Sequence, residues 1–166
     1  NGKPLPIEHG FPVRMVVAGL YGYVSATKWV VDLEVTRFED FEAYWTGKGW
    51  GELGPVKMSS RIDVPSSGGQ VEAGDVVVAG VAWAQHTGIA GVQVAVDGGD
   101  WVSGEISQPG TDDSWVQWKA VVSVEPGDHL VRVRATDKNG LVQTGVEADV
   151  LPDGATGWHT IEFSAA

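Results

Sequence analysis

The clearest signal along the chain is a strict two-residue alternation. Val116, Trp118, Ala120, Val122 and Val124 fall on one side of an extended backbone, and Gln117, Lys119 and Ser123 fall on the other. A half-buried β-strand requires this period, because successive side chains leave the backbone on opposite faces. Val131, Val133 and Ala135 repeat the pattern with Arg132 and Arg134 facing out, and Val92, Val94 and Val96 repeat it against Gln93, Ala95 and Asp97. Asp97-Gly98-Gly99 reads as a hairpin turn into a strand from Trp101 to Ile106. Pro126-Gly127-Asp128 and Asp137-Lys138-Asn139-Gly140 read as further turns, and strands are predicted over 76–83, 141–143, 147–150 and 158–163. About seven strands in roughly 100 residues predict an immunoglobulin-like β-sandwich with Trp83 or Trp118 at the centre of its core.

Upstream of Ser66-Ser67-Gly68-Gly69 the pattern changes. Residues 13–18 form a short apolar run that predicts a buried strand. Residues 29–35 predict a second, with Asp32 and Glu34 alternating against Val31, Leu33 and Val35. Thr36 and Glu39 fit a capping box, and Phe38, Phe41 and Trp45 follow at helical spacing until Gly47 and Gly49 stop them. Residues 50–65 predict an extended connector. Two strands and one short helix are too few to bury these aromatics. The predicted organisation is therefore mainly β: an immunoglobulin-like sandwich over residues 65–166, preceded by a partial α+β segment over residues 1–64 that ends a larger domain.

Composition narrows the function classes. The 166 residues include no cysteine, which excludes disulfides and any thiolate metal ligand from this chain. The net charge is -11 and unevenly spread. Residues 1–64 carry seven Lys and Arg against eight Asp and Glu, while residues 65–166 carry four against fourteen. A sandwich so acidic is not expected to bind nucleic acid, which needs a basic face. No apolar run approaches the length of a membrane-spanning helix, so no direct membrane insertion by this chain is expected. The histidines at 9, 86, 129 and 159 are dispersed and fit no metal-ligand spacing. Asp97, Asp112, Asp113, Asp128 and Asp137 lie in turn-like sequence, which argues against a glycosidase carboxylate pair. No nucleophile elbow, Walker loop or dinucleotide fingerprint is present.

One stretch does carry binding chemistry. His9-Gly10-Phe11-Pro12-Val13-Arg14 is followed by Ser25-Ala26-Thr27-Lys28-Trp29. Arg14 can grip a phosphate in a bidentate way, Lys28 offers a point charge, and Ser25 and Thr27 supply hydroxyl donors. Such a set suits a polyanionic ligand. The two stretches also resemble the late cofactor domain of the sulfite oxidase family of molybdenum enzymes. Gly80-Val81-Ala82-Trp83, Val94-Ala95-Val96-Asp97-Gly98-Gly99, Trp115-Val116-Gln117-Trp118, Arg134-Ala135-Thr136-Asp137 and Gly157-Trp158-His159 resemble that family's C-terminal dimerisation domain.

The resemblance implies that His9, Arg14, Ser25, Thr27 and Lys28 contact molybdopterin. It implies that the metal's cysteine ligand lies upstream of this chain, which then holds no catalytic residue or metal ligand of its own. It implies oxygen-atom transfer in a longer protein, extracytoplasmic or membrane-attached, and a homodimer through residues 65–166. Read so, the chain is a C-terminal fragment missing its upstream cofactor domain, inactive and without cofactor by itself. Some family members place an arginine in the loop before the Val92 strand. Residues 85–91 have none, so sulfite is not implied as the substrate. The competing reading is a stand-alone immunoglobulin-like binding module of a cell-surface or carbohydrate-active protein. It explains the sandwich, the acidity and the eight tryptophans, and leaves the His9–Arg14 stretch unexplained.

Overall fold

The computed structural model describes residues 2–166. It divides into two units. One runs up to Val56 and includes Asp149–Ala155; the other comprises Lys57–Ala148 and Thr156–Ala166.

In the first unit, β1 (Arg14–Val16) pairs antiparallel with β2 (Ala26–Lys28), and the single helical turn α1 (Gly22–Ser25) precedes β2. The remaining regular structure is three 3-10 turns: Ile7–His9, Phe38–Asp40 and Thr46–Lys48. The strand expected over 13–18 thus shrinks to three residues. The strand expected over 29–35 does not form, and Val31 and Val35 are almost fully exposed. The helix expected from Phe38 to Trp45 is replaced by two of the 3-10 turns, with Phe38 and Phe41 exposed. The physical reason is shared. Alternation makes a strand only beside another strand, and a short amphipathic helix owes its stability to the surface it packs on. Among the described residues no such partner lies beside these segments. Order persists where aromatics find each other: the rings of Tyr23 and Trp50 have centroids 4.7 Å apart, and Tyr23 Oη donates to the Gly51 carbonyl.

The second unit is the sandwich. Its strands are β3 (Ser59–Val64), β4 (Gly69–Val71), β5 (Gly74–Trp83), β6 (Ile89–Val96), β7 (Val102–Ser103), β8 (Glu105–Ile106), β9 (Val116–Val124), β10 (Gly127–Asp137) and β11 (His159–Ala165). One sheet has the order β3-β5-β9-β8, the other β4-β11-β10-β6-β7. All pairings are antiparallel except β4 with β11. This order is immunoglobulin-like. The unit begins at Lys57 and not at residue 65, because β3 pairs with β5 from Ser59↔Trp83 to Val64↔Ala79. The strand expected from Trp101 to Ile106 is split. β7 joins β6 in one sheet and β8 joins β9 in the other, and the chain crosses between them at Gly104. A Cβ on Gly104 would meet the Lys119 carbonyl oxygen at 2.9 Å, so only glycine makes this crossing. Residues 141–143 and 147–150 form isolated bridges and not strands.

The inward faces meet as the alternation predicts. β9 alternates buried and exposed along its whole length, and Val78, Val94, Val131 and Val133 are completely buried. Trp118 lies in this core, whereas Trp83 does not. The two sheets are also tied by Gln143. Its Oε1 accepts from Ser60 Oγ at 2.7 Å and from the Ala135 amide at 3.1 Å, and its Nε2 donates to the Gly157 carbonyl. β3 approaches β5 closely only because residue 80 is glycine: a Cβ there would lie 1.8 Å from the Arg61 carbonyl oxygen. Gly80→Ala is therefore expected to push β3 off the sheet and destabilise the sandwich by about 1–3 kcal/mol, an overpacking cost. Gly91→Ala, whose Cβ meets nothing within 4 Å, is the control that should stay near neutral. Denaturant unfolding of both variants checks this.

A second prediction comes from the turns at one end of the sandwich. His129 Nδ1 lies 2.7 Å from Asp97 Oδ2, and its Nε2 lies 2.7 Å from the Glu125 carbonyl oxygen. Both partners accept, so the ring binds best when both nitrogens carry protons. The Asp97 carboxylate and then the Glu125 carbonyl raise the His129 pKa. The Leu130 amide, followed by His129, lowers that of Asp97. A raised histidine pKa contributes stability that is complete below about pH 6.5, the unfolded value, and is lost as pH rises through the folded value. Asp97 works on the acid side, contributing above its unfolded value of about 3.9 and losing this as pH falls through its lowered one. Wild type should therefore lose its thermal-stability advantage over His129→Gln as pH rises from about 6.5, the unfolded value, through the raised folded value. Parallel melting curves across that range would check it.

Candidate functional site

The candidate site is built on the β1–β2 pair. Arg14 stands directly opposite Lys28, so both side chains leave the same face. Two cations in that position repel unless something anionic lies between them. Lys28 Nζ donates to the Glu8 carbonyl at 2.6 Å and lies 5.9 Å from the Trp29 ring centroid. Among the described residues the Arg14 guanidinium has no hydrogen-bond or ion-pair partner.

His9 reaches this pair through a glycine. The turn Ile7–His9 ends at Gly10, whose φ of 113° is a left-handed value. Gly10 is buried, and a Cβ on it would lie 3.1 Å from Arg14 Cβ and 3.3 Å from Lys28 Cγ. The missing side chain thus lets the turn that carries His9 pack onto the two cationic residues. Trp29 holds the other side of the loop. Its amide donates to the Val13 carbonyl and its Nε1 to the Phe11 carbonyl, both at 2.9 Å. These two fixings hold the cis Phe11–Pro12 turn against β2. Gly10 and Trp29 were not among the expected binding residues. The signal for Gly10 was present, a glycine one residue before an X-Pro pair, but a turn motif does not say what it packs against.

The five expected residues do not all converge. His9, Arg14 and Lys28 are exposed and grouped as described. Ser25 ends α1 and is buried, with its amide bonded to the Tyr21 carbonyl and its own carbonyl accepting from the Val17 amide. Thr27 pairs with Met15 and so projects from the opposite face of the strand pair to Arg14 and Lys28. As a donor set, two cations and an imidazole around a glycine turn fit the phosphate of a polyanionic cofactor. Among the described residues no cluster of His, Asp and Glu is arranged to hold a metal ion, and no helix is long and apolar enough to cross a membrane.

Comparison with known proteins gives this geometry its class. Residues 1–45 match the family described as an oxidoreductase molybdopterin binding domain. Mitochondrial sulfite oxidase of Rattus norvegicus is 31% identical over 174 residues, covering 90% of this chain and 32% of that protein. Sulfite oxidase of Arabidopsis thaliana is 26% identical over 193 residues, covering 97% of this chain and 49% of that protein. The crystal structure of the sulfane dehydrogenase SoxCD from Paracoccus pantotrophus superposes with a TM-score of 0.68 at 26% identity, over 96% of this chain and 46% of that one. The similarity thus runs through both units, from the end of a molybdopterin-binding domain into the sandwich. The chain belongs to the sulfite oxidase family of molybdenum-cofactor oxidoreductases. It spans about a third of the length of the rat relative.

Proposed function

We propose that this chain is the C-terminal part of a molybdopterin-dependent oxidoreductase that transfers oxygen atoms. In this reading its first unit completes the cofactor domain and its sandwich joins two copies. The observation that carries the first part is the Arg14↔Lys28 cross-strand pair. Like charges directly opposite cost stability, and among the described residues no carboxylate pairs with either cation. A bound phosphate would remove the cost. Arg14 and Lys28 would hold the cofactor's phosphate end, with His9 and the backbone of the Gly10 turn beside them. Ser25, which is buried, and Thr27, which faces the opposite side of the strand pair, are not assigned to this phosphate group. The bound metal supplies two-electron redox chemistry; the protein supplies binding and orientation.

The exposed Phe38, Phe41, Val31 and Val35 are assigned as packing surface for the upstream cofactor domain. This chain has no cysteine, so a thiolate ligand for the metal comes from that domain. A stand-alone immunoglobulin-like binding module leaves both the cation pair and the exposed aromatics without a role, and is not favoured.

Two experiments test the reading. In the full-length protein, Arg14→Ala is expected to lower molybdopterin occupancy at least several-fold while leaving the unfolding transition of the sandwich in place. Thr27→Val, on the opposite face of the strand pair, is expected to matter less. Cofactor content after purification and absorption spectra read both. The second experiment uses the 166-residue chain by itself, which is expected to carry no stoichiometric molybdenum by elemental analysis.

A further inference from the structure

β3 is the edge strand of its sheet, so alternate backbone groups along it face away from β5. At Ile62 such a group is met by a side chain of the other sheet. The Ile62 amide donates to His159 Nδ1 at 3.0 Å. His159 is the first residue of β11 and pairs with Val133, so it shares the inward face of that strand with Ile161 and Phe163. From the rim of that face its ring reaches across to β3. The bond falls where β3 is held least by its own sheet. The β3–β5 register shifts between Ile62 and Val64, so the ladder is interrupted at Asp63. Beyond this bulge the chain crosses to the other sheet, where β4 pairs with β11 from Gly69↔Phe163. The far end of the crossing is fixed by a backbone bond, from the Gly68 amide to the Glu162 carbonyl at 2.7 Å. Its near end is fixed by an imidazole. Two residues earlier, Ser60 is held by Gln143, whose amide oxygen accepts at any pH. An imidazole nitrogen does not.

We infer that His159 is an acid-sensitive latch on the β3–β4 crossing, closed while its ring is neutral and open once the ring is protonated. Nδ1 accepts only while it carries no proton, which puts the single proton of the neutral ring on Nε2. A second proton goes to Nδ1 and turns the acceptor into a donor, setting N–H against N–H. The bond to Ile62 is then lost, and its amide is left beside a cation. Partial burial, and then the Arg61 guanidinium, lower the pKa of His159, while the Asp63 carboxylate opposes them. Both charged residues lie on the latched strand and are paired with each other at 2.7 Å. On β10, Val133 lies opposite the ring and is uncharged, and Arg132 and Arg134 leave by the other face. Its chain neighbours Trp158 and Thr160 are uncharged as well. The latch is therefore closed at neutral pH. A lowered histidine pKa contributes stability that is complete above about pH 6.5, the unfolded value, and is lost as pH falls through the lowered folded value. This is the reverse of His129. One histidine joins two turns best when charged, and the other joins two sheets only when neutral. Acid frees the end of β3 and bares its edge amide, while Gln143 keeps its contacts.

The test is hydrogen exchange of the full-length protein, read at single-amide resolution by mass spectrometry from about pH 7.5 to about pH 4.5, across the histidine range. Each rate is divided by the intrinsic rate at that pH to give a protection factor. Protection of the Ile62 amide is expected to fall about fivefold as His159 titrates, the worth of one ordinary hydrogen bond. The amides of β9, which holds no histidine, are expected to keep theirs. His159→Gln offers an amide oxygen and no titration, and is expected to remove the step. His159→Phe offers no acceptor, and is expected to leave Ile62 weakly protected at every pH. His159 is exposed at the rim, so both variants should fold, and circular dichroism checks this. Four results overturn the latch: an Ile62 protection factor in wild type that does not fall with acid, a step that survives in His159→Gln, full protection at neutral pH in His159→Phe, or a loss that β9 shares equally.

Discussion

No disulfide ties the two sheets of the sandwich to each other, so beyond the chain's own crossings the side chains between them must do it. With no cysteine available, the place a disulfide occupies in antibody domains is filled by valines on β5, β6, β9 and β10. Each fully buried valine contributes about 1.5–3 kcal/mol relative to exposure, and the β-branched shape suits the pleated surface that carries it. Apolar burial is non-directional, however, and cannot by itself hold one sheet in register with the other. Gln143 adds the direction. Its side-chain amide binds one residue from β3 and one from β10, and Trp158 Nε1 donates to its backbone carbonyl. The sheets are thus held by bulk and aligned by one amide.

The positions that allow close approach are glycines, and each serves a different contact. Gly80 admits the backbone of β3, Gly104 lets the chain change sheets, and Gly10 lets a turn lie on two cationic side chains. The first two build the scaffold and the third builds the candidate site. That site sits in the unit with less of its own packing, where the aromatics outnumber the surfaces that bury them. A binding loop in such a unit depends on neighbours for its rigidity. Its internal fixings include the two hydrogen bonds from Trp29 and the one from Lys28 Nζ to the Glu8 carbonyl.

How far each feature could be read from sequence follows from where its partner lies. The faces of β9 and β10 were legible because alternation reports directly which side is buried, and for both strands the partners are close at hand in the same sandwich. Residues 29–35 alternate just as cleanly, yet form no strand: a period of two names a face and not a neighbour. The split of Trp101–Ile106 was hidden because only the Cβ clearance at Gly104 reveals the crossing. In the site, the residue types of His9, Arg14 and Lys28 were legible as anion chemistry. Their grouping depends on β1–β2 register and on Gly10, and Thr27 falls on the far face for the same reason of register. The Asp97–His129 pair joins two turns 32 residues apart, a separation that no local motif encodes.

Asp149–Ala155 is a short excursion out of the sandwich sequence into the first unit. There its Pro152 carbonyl accepts from the Gly51 amide, and the Tyr21 ring lies so close to Gly154 that a Cβ would approach it to 2.6 Å. The two units are consequently interleaved along the gene. A recombination event at a single junction near residue 57 would separate this segment from the residues it binds. It would leave an orphaned loop in the transplanted sandwich and a gap beside Tyr21 in what remained. A cut at one junction therefore reproduces neither unit whole, unlike a cut between beads on a linker.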